Sequence, residues 1–255
     1  MDGEYMGKTF CLGDIHGNYG GLLQCLERAG VDEENDLLIP LGDVCDGYRS
    51  TKQVIDTLLK YNTIHICGNH ECSINGTGHT DFGWFLGWAI RGEELPLWMG
   101  QGGYTTCESY GFDPKNVPTE HIEYLLNGYP YYIIDDMCFV HGGIRDEIRL
   151  ELQHKEDLMW DRSMAYESGE RYIHHPQVRT IFCGHTSTYA VGGEDKPQFR
   201  NNVIMVDTGS GWRGRLTIMD VSSKEYWQSD YSTIEEDRFI PDFEFTFGRK
   251  NDKTN

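Results

Sequence analysis

No window of the 255-residue sequence approaches the roughly 18 consecutive apolar residues that a bilayer-spanning helix requires. The N-terminal Met-Asp-Gly-Glu-Tyr-Met has no basic stretch leading into an apolar run, so no secretory signal is expected. Basic residues are scarce: 22 Lys and Arg face 41 Asp and Glu, a formal net charge of −19. Phosphate backbones and anionic headgroups are held by clustered Lys and Arg, so nucleic acid and membrane surfaces are not expected partners. None of the eight cysteines forms a Cys-x-x-Cys pair, and four (Cys11, Cys67, Cys138, Cys183) sit in or at the end of apolar, strand-like runs. Free buried thiols in a soluble, cytoplasmic protein are therefore expected rather than a disulfide framework. Internal repeats, low-complexity tracts and linkers are also missing. A single domain over residues 1–255 is the expectation.

Glycine is plentiful, at 30 residues, and hydrophobic residues make up 38%, enough for a proper core. In the first half, short β-like runs alternate with helical patterns. Lys8 to Leu12, Asp36 to Leu41 and Thr63 to Cys67 read as strands. Helices are predicted over Tyr19–Ala29 and over Ser50–Tyr61, the second with Ser50 as N-cap. This alternation implies βαβ units and a sheet covered on both faces: an α/β fold. From about residue 77 to 130 the rhythm breaks into a Trp- and Gly-rich insertion, with a helix start at Val117-Pro-Thr-Glu. Strands resume at Tyr131–Ile134, Met137–Val140, Arg179–Cys183, Val203–Val206 and Arg215–Asp220, with residues 149–175 mostly helical or irregular. The tail, residues 229–255, is acidic and ends in a polar stretch expected to fray.

The chemistry-bearing residues stand at the ends of the strands. The runs end in Gly13-Asp14-Ile-His16-Gly17, Gly42-Asp43-Val-Cys-Asp46-Gly47, Gly68-Asn69-His70-Glu71, His141-Gly142-Gly143 and Gly184-His185. In open α/β sheets, ligands gather at the carboxyl ends of strands. Singly, Asp14, Asp43 or Asn69 is a turn former and His141 or His185 a hydrogen-bonded histidine. Five such coincidences, each Gly-flanked and each after an apolar run, point instead to a metal site. Asp14, His16, Asp43, Asn69, His141 and His185 make a mixed oxygen and nitrogen set without thiolate, suited to manganese, iron or zinc. Six ligands exceed one tetrahedral ion and fit two ions sharing a carboxylate, the known clamp for displacement at phosphorus.

Taken together, these blocks resemble the calcineurin-like metallophosphoesterases, from Phe10 to about Asp220. The Gly42-Asp43-x-x-Asp46 and Gly68-Asn69-His70-Glu71 blocks resemble the phosphoprotein phosphatase branch. Gln101-Gly-Gly-Tyr-Thr-Thr, Leu158-Met-Trp160-Asp-Arg162 and Asp207-Thr-Gly209 resemble its compact bacterial and phage-type members. The resemblance implies a four-layer α/β/β/α sandwich with residues 77–130 as a cap-like insertion. It implies a first divalent ion on Asp14, His16 and Asp43, and a second on Asp43, Asn69, His141 and His185. Manganese is the ion to supply in vitro. By the same resemblance His70 is the general acid, oriented by Asp46, and Arg162 binds substrate phosphate. The family usually places a phosphate-binding arginine directly after the second Asp of the Gly-Asp block. Here that position is Gly47; Arg49, two residues on, either bends back to replace it as a phosphate ligand or sits at the start of the helix and binds nothing.

The expected activity is hydrolysis of phosphoserine or phosphothreonine in proteins, or of another small phosphoester. The alternative is symmetrical diadenosine tetraphosphate hydrolysis, with the insertion's aromatics stacking bases rather than packing as a cap. A third reading, an inactive binding module of the same fold, requires a degenerate ligand set. None of these positions is missing. The −19 charge does not exclude an anionic substrate, because two divalent ions add about +4 in one cleft.

Overall fold

The strands form where apolar residues occupy both faces of short runs. In the computed structural model, residues 7–74, 80–81, 83–212 and 214–232 are described. Arg213, parts of the insertion (75–79 and 82) and most of the expected tail (233–255) lie outside the described residues. The first half gives β1 (Thr9–Leu12), α1 (Tyr19–Ala29), β2 (Leu37–Pro40), α2 (Thr51–Leu58) and β3 (Asn62–Thr63). The insertion gives β4 (Ser73–Ile74), β5 (Thr80–Asp81), α3 (Trp84–Arg91), α4 (Pro96–Trp98), α5 (Tyr104–Ser109) and α6 (Thr119–Leu126). The second half gives β6 (Tyr131–Ile134), β7 (Met137–Val140), α7 (Lys155–Trp160), α8 (Ser163–Glu167), β8 (Thr180–Cys183), α9 (Thr188–Gly192), β9 (Gln198–Arg200), β10 (Val203–Met205), β11 (Thr217–Asp220) and β12 (Tyr226–Gln228).

Two mixed five-stranded sheets result, ordered β12-β11-β1-β2-β3 and β6-β7-β8-β10-β9. β1, β2 and β3 run parallel, as do β7, β8 and β10. Strand parity sorts the side chains into layers. From β1, Phe10 and Leu12 pack with Leu22 and Leu26 of α1 and with Val54, Ile55 and Leu58 of α2. Cys11 turns the other way, joining Ile39 and Met219 against Phe139, Phe182 and Ile204 of the second sheet. Cys138, Val140, Ile181 and Met205 face outward beneath Leu158 and Met164 of α7 and α8. The three apolar layers lie between helix and sheet, sheet and sheet, and sheet and helix, which is the α/β/β/α sandwich. All eight cysteines are free and buried. Among the described residues no helix is long and apolar enough to cross a membrane.

Two elements depart from the sequence reading. The third strand, expected over Thr63–Cys67, has ladder pairing only at Asn62–Thr63. Ile64 and Ile66 still donate to Leu38 and Pro40 at 2.9 and 3.0 Å, but among the described residues the far side of this segment pairs only with Tyr129, in an isolated bridge. Ser50 does sit at the N-cap of α2, yet its side chain makes no capping bond, whereas Asn18 caps α1 by accepting from the Gly21 N–H at 2.9 Å.

The inter-sheet layer yields a stability test. Phe139 is fully buried and stacks on Phe182 with centroids 4.9 Å apart. Phe139→Ala is expected to cost about 3–5 kcal/mol in urea unfolding, from lost burial and a residual cavity. Phe199, 54% exposed on β9, is expected to cost about 0.5 kcal/mol or less on the same substitution.

Candidate active site

Because β1, β2 and β3 are parallel, as are β7 and β8, their carboxyl ends meet along one edge of the sandwich. There the chain takes conformations that ordinary residues avoid. His16, Asp43, Asp46 and His185 have positive φ values of 51°, 49°, 68° and 62°. Each such residue costs on the order of 1–3 kcal/mol and persists only where its surroundings impose it. The surroundings do so here: the N–H groups of Ile15 and His16 both donate to Asp43 O, and Tyr48 donates to His16 O. Gly42, at φ 100°, can only be glycine, since a Cβ there would lie 2.6 Å from His141 Nδ1 and 2.7 Å from Gly68 Cα.

All six expected ligands are buried at this edge. Donor atoms of His16, Asp43 and His70 lie within 4.8 Å of one another, as do those of Asp43, His141 and His185. Asp43 is common to both groups. Its Oδ2 lies 3.7 Å from His16 Nε2, and its Oδ1 lies 3.4 Å from His141 Nε2. Asn69 Oδ1 stands 3.0 Å from His141 Nε2, and both Asp14 oxygens accept from the His185 N–H at 3.1 Å.

The imidazole orientations fit cations. His16 Nδ1 is bonded to Cys45 O at 3.0 Å, His141 Nδ1 to Leu41 O at 2.7 Å, and His185 Nε2 to Trp160 O at 3.2 Å. A carbonyl can only accept, so each bonded nitrogen carries the proton and the other presents a lone pair. This is the way metal-ligating histidines are held. For His16 and His141 that lone pair points at oxygens that also only accept, an arrangement completed by a cation between them. The carboxylates say the same. Burial, then the charges of Asp207 and Asp43, push the Asp14 carboxyl well above its ordinary range. Burial likewise raises Asp207, which lines the same cavity. Asp43 is held low despite burial, by His141, His70 and His16. Burial, with His141 and Arg162 nearby, pushes His185 down to about 2, so it is a neutral donor.

His70 is built differently. Its Nδ1 donates to Asp46 Oδ2 at 2.7 Å, while Nε2 lies 3.9 Å from Asp43 Oδ2 and faces the cavity. Burial alone would lower its pKa. The charge of Asp43 and the bond to Asp46 outweigh that and lift it to about 9. Asp46 is fully buried and accepts further bonds from Trp98 Nε1 at 2.8 Å and from Thr106 Oγ1. Glu71, also fully buried, ties two of the strand ends together: its Oε1 accepts from Asp43 N at 2.9 Å and Gly68 N at 3.0 Å. Arg162 lines the cavity with its Nη1 on His185 O at 2.6 Å. Arg49 instead pairs with Glu108 at 3.2 Å and does not line the cavity.

The sequence reading assigns no role to Asp207, Glu71, Trp98 or Thr106. Asp207 carries the same signal as the expected ligands, an acid after the apolar run Val203–Val206 with Gly209 beyond it. The insertion is mainly a packed cap: Trp88 and Trp98 are buried, and of its tryptophans only Trp84 lines the cavity. That cavity, about 290 Å3, is also walled by Trp160, Trp212 and Leu97.

The family model of the calcineurin-like phosphoesterases matches residues 7–189. The chain belongs to this family. It is a metal-dependent phosphatase-type hydrolase, and its His and Asp groups answer to the divalent cations that such phosphoesterases use. Among curated relatives, the asymmetrical bis(5'-nucleosyl)-tetraphosphatase of Anoxybacillus flavithermus is 25% identical over 82% of this chain and 88% of its own. Serine/threonine-protein phosphatase 2 of Salmonella typhimurium is 26% identical over 82% and 91%. Among solved structures, a protein serine/threonine phosphatase from Saccharomyces cerevisiae shares the fold at TM-score 0.56 and 15% identity, over 89% of this chain and 81% of that one. These relatives place the calcineurin-like chain beside both protein phosphatases and nucleotide hydrolases.

Proposed function

We propose that the protein hydrolyses phosphomonoesters at a dinuclear centre, with phosphoserine and phosphothreonine in proteins as substrates. The observation that carries this reading is Asp43, shared by two donor groups directly beside the His70–Asp46 pair. Asp14, His16 and Asp43 would hold one ion, and Asp43, Asn69, His141 and His185 the other; manganese is the ion to test first. Two divalent cations bound there supply an acidified water and neutralise the phosphoryl oxygens. The remaining work falls to the chain. Arg162, fixed by His185 O, offers its guanidinium fork to the phosphate. His70 delivers the proton on Nε2 to the leaving oxygen, and Asp46 keeps the other nitrogen protonated and the ring aimed. Arg49 is the other candidate for the phosphate; its pairing with Glu108 favours Arg162 in that role.

A second reading is hydrolysis of dinucleoside polyphosphates, the activity in the name of the Anoxybacillus relative, which is asymmetrical where the sequence reading expects the symmetrical reaction. The exposed ring of Trp212 favours it. Trp212 walls both the metal-side cavity and a neighbouring hollow of about 350 Å3 that also contains Tyr189, a surface on which a base can stack. Turnover of a phosphothreonine peptide and of diadenosine tetraphosphate, compared in added manganese, separates the two. Faster release from the peptide is expected. A hundredfold preference for the nucleotide replaces the first reading with the second, and no turnover of any phosphoester rejects both.

A further inference from the structure

The Gln101-Gly-Gly-Tyr-Thr-Thr block lies in the insertion, more than fifty residues in sequence from the Asp46 loop it meets in space. Between α4 and α5 the chain kinks within Met99–Gly103, leaving helical geometry at Gln101 and at Gly102, which takes φ 102°. The two glycines allow a very close approach. A Cβ on Gly102 would stand 2.5 Å from Gly47 N, and one on Gly103 would stand 2.4 Å from the Trp98 indole. Thr105 locks the turn by donating to Gly102 O at 2.7 Å.

The approach delivers two polar groups onto one carboxylate. Trp98 Nε1 donates to Asp46 Oδ2 at 2.8 Å, the same oxygen that accepts from His70 Nδ1 at 2.7 Å. Thr106 Oγ1 donates to Oδ1 and accepts from the Asp46 N–H at 2.9 Å. Trp98, Thr106 and Asp46 are all fully buried, so water cannot replace a lost partner. The insertion is itself fixed to α2: Tyr110 bonds His121, whose other nitrogen bonds Asp56, each at 2.9 Å. It also grips His70 directly, because Phe85 N donates to His70 O at 3.2 Å and the Trp84 ring meets the imidazole edge-on at 5.1 Å.

We infer that Trp98 and Thr106 are positioning residues for general-acid catalysis, and that the insertion's task is to hold Asp46, and through it His70, in register with the leaving oxygen. A buried carboxylate with donors on both oxygens cannot rotate, so the imidazole it holds cannot swing. This rests on the reading of His70 as the acid and holds for a protein or a nucleotide substrate alike. An acid matters only where the leaving group needs a proton. Its loss is therefore felt with phenyl phosphate and little with 2,4-dinitrophenyl phosphate.

Trp98→Phe keeps an aromatic ring, smaller than the indole, and removes the N–H. It is expected to lower kcat on phenyl phosphate by at least about tenfold, with a clearly smaller loss on 2,4-dinitrophenyl phosphate and little change in KM. In the metal-free protein the downfield Nδ1–H proton resonance of His70 should broaden or shift upfield. Thr106→Val should behave alike and Thr106→Ser should recover, which keeps the test open if one variant folds poorly. Equal losses on the two esters, or no loss on either, would overturn the inference. His70→Asn on the same pair separates the layers. If it is leaving-group selective and Trp98→Phe is not, only the positioning role fails; if it is not selective, the acid assignment fails and the inference with it.

Discussion

His70→Asn is expected to lower turnover of phenyl phosphate by about two to three orders of magnitude, the range of a lost general acid, with metal content at the level of the unmutated protein. Metal content is the decisive part. His70 Nε2 belongs to one of the two close donor groups, with His16 and Asp43, so proximity alone would also suit a metal ligand. Its other nitrogen distinguishes it. His16, His141 and His185 each donate from one nitrogen to a neutral backbone carbonyl, which leaves the other nitrogen to offer a lone pair to a cation. His70 donates from Nδ1 to the carboxylate of Asp46, which favours the doubly protonated ring and leaves no lone pair for a cation. Elemental analysis of the variant beside its kinetics checks this. Loss of about one metal equivalent per chain would make His70 a ligand and leave the leaving oxygen to be protonated by another group.

The candidate ligands are legible in the sequence because their signal is local: an apolar run, a glycine, then Asp, Asn or His. The fold brings them together through parallel strands, and parallel strands put every carboxyl end on the same edge. Asp207 carries a similar pattern but is masked, because Val203–Val206 reads as a core strand with an ordinary turn after it. The support beneath the proposed acid, His70, has no local signature. Trp98 lies in an aromatic segment and reads as core, which it is: its ring packs near Trp88 while only its Nε1 reaches Asp46. Nothing at Asp46 in the sequence indicates that its partners lie 52 and 60 residues away. Arg49 shows the limit of a local signal. Nearness in sequence to a missing arginine suggests a replacement, but the helix that begins at Thr51 directs it toward Glu108.

Asp14→Asn is expected to move activity and metal-free stability in opposite directions. Asp14, Asp43, Asp207 and Glu71 are all buried in one small volume. The Asp14 carboxyl is pushed up by burial and then by its acidic neighbours, so its ionised form weakens the metal-free fold. Asparagine keeps an oxygen to accept the His185 N–H, one of the bonds that now runs at 3.1 Å, and it occupies nearly the same space beside Gly184. The metal-free variant should therefore melt above the unmutated metal-free protein, by about 2–4 °C for each kcal/mol of repulsion removed in a chain of this size. Manganese at a hundredfold over its Kd adds about 2.7 kcal/mol to a protein that binds it when folded. That upward shift should shrink in the variant, and turnover should fall by at least about a hundredfold as the clamp on phosphorus is lost. A metal-free variant that melts lower, with the manganese shift intact, would show that Asp14 is a structural acceptor for the His185 loop and no ligand. The expected pattern also explains how a chain with 41 acidic and 22 basic residues can recruit an anion. Its acids at this edge repel one another until cations join them, and the joined site then presents positive charge to phosphate while the rest of the surface stays negative.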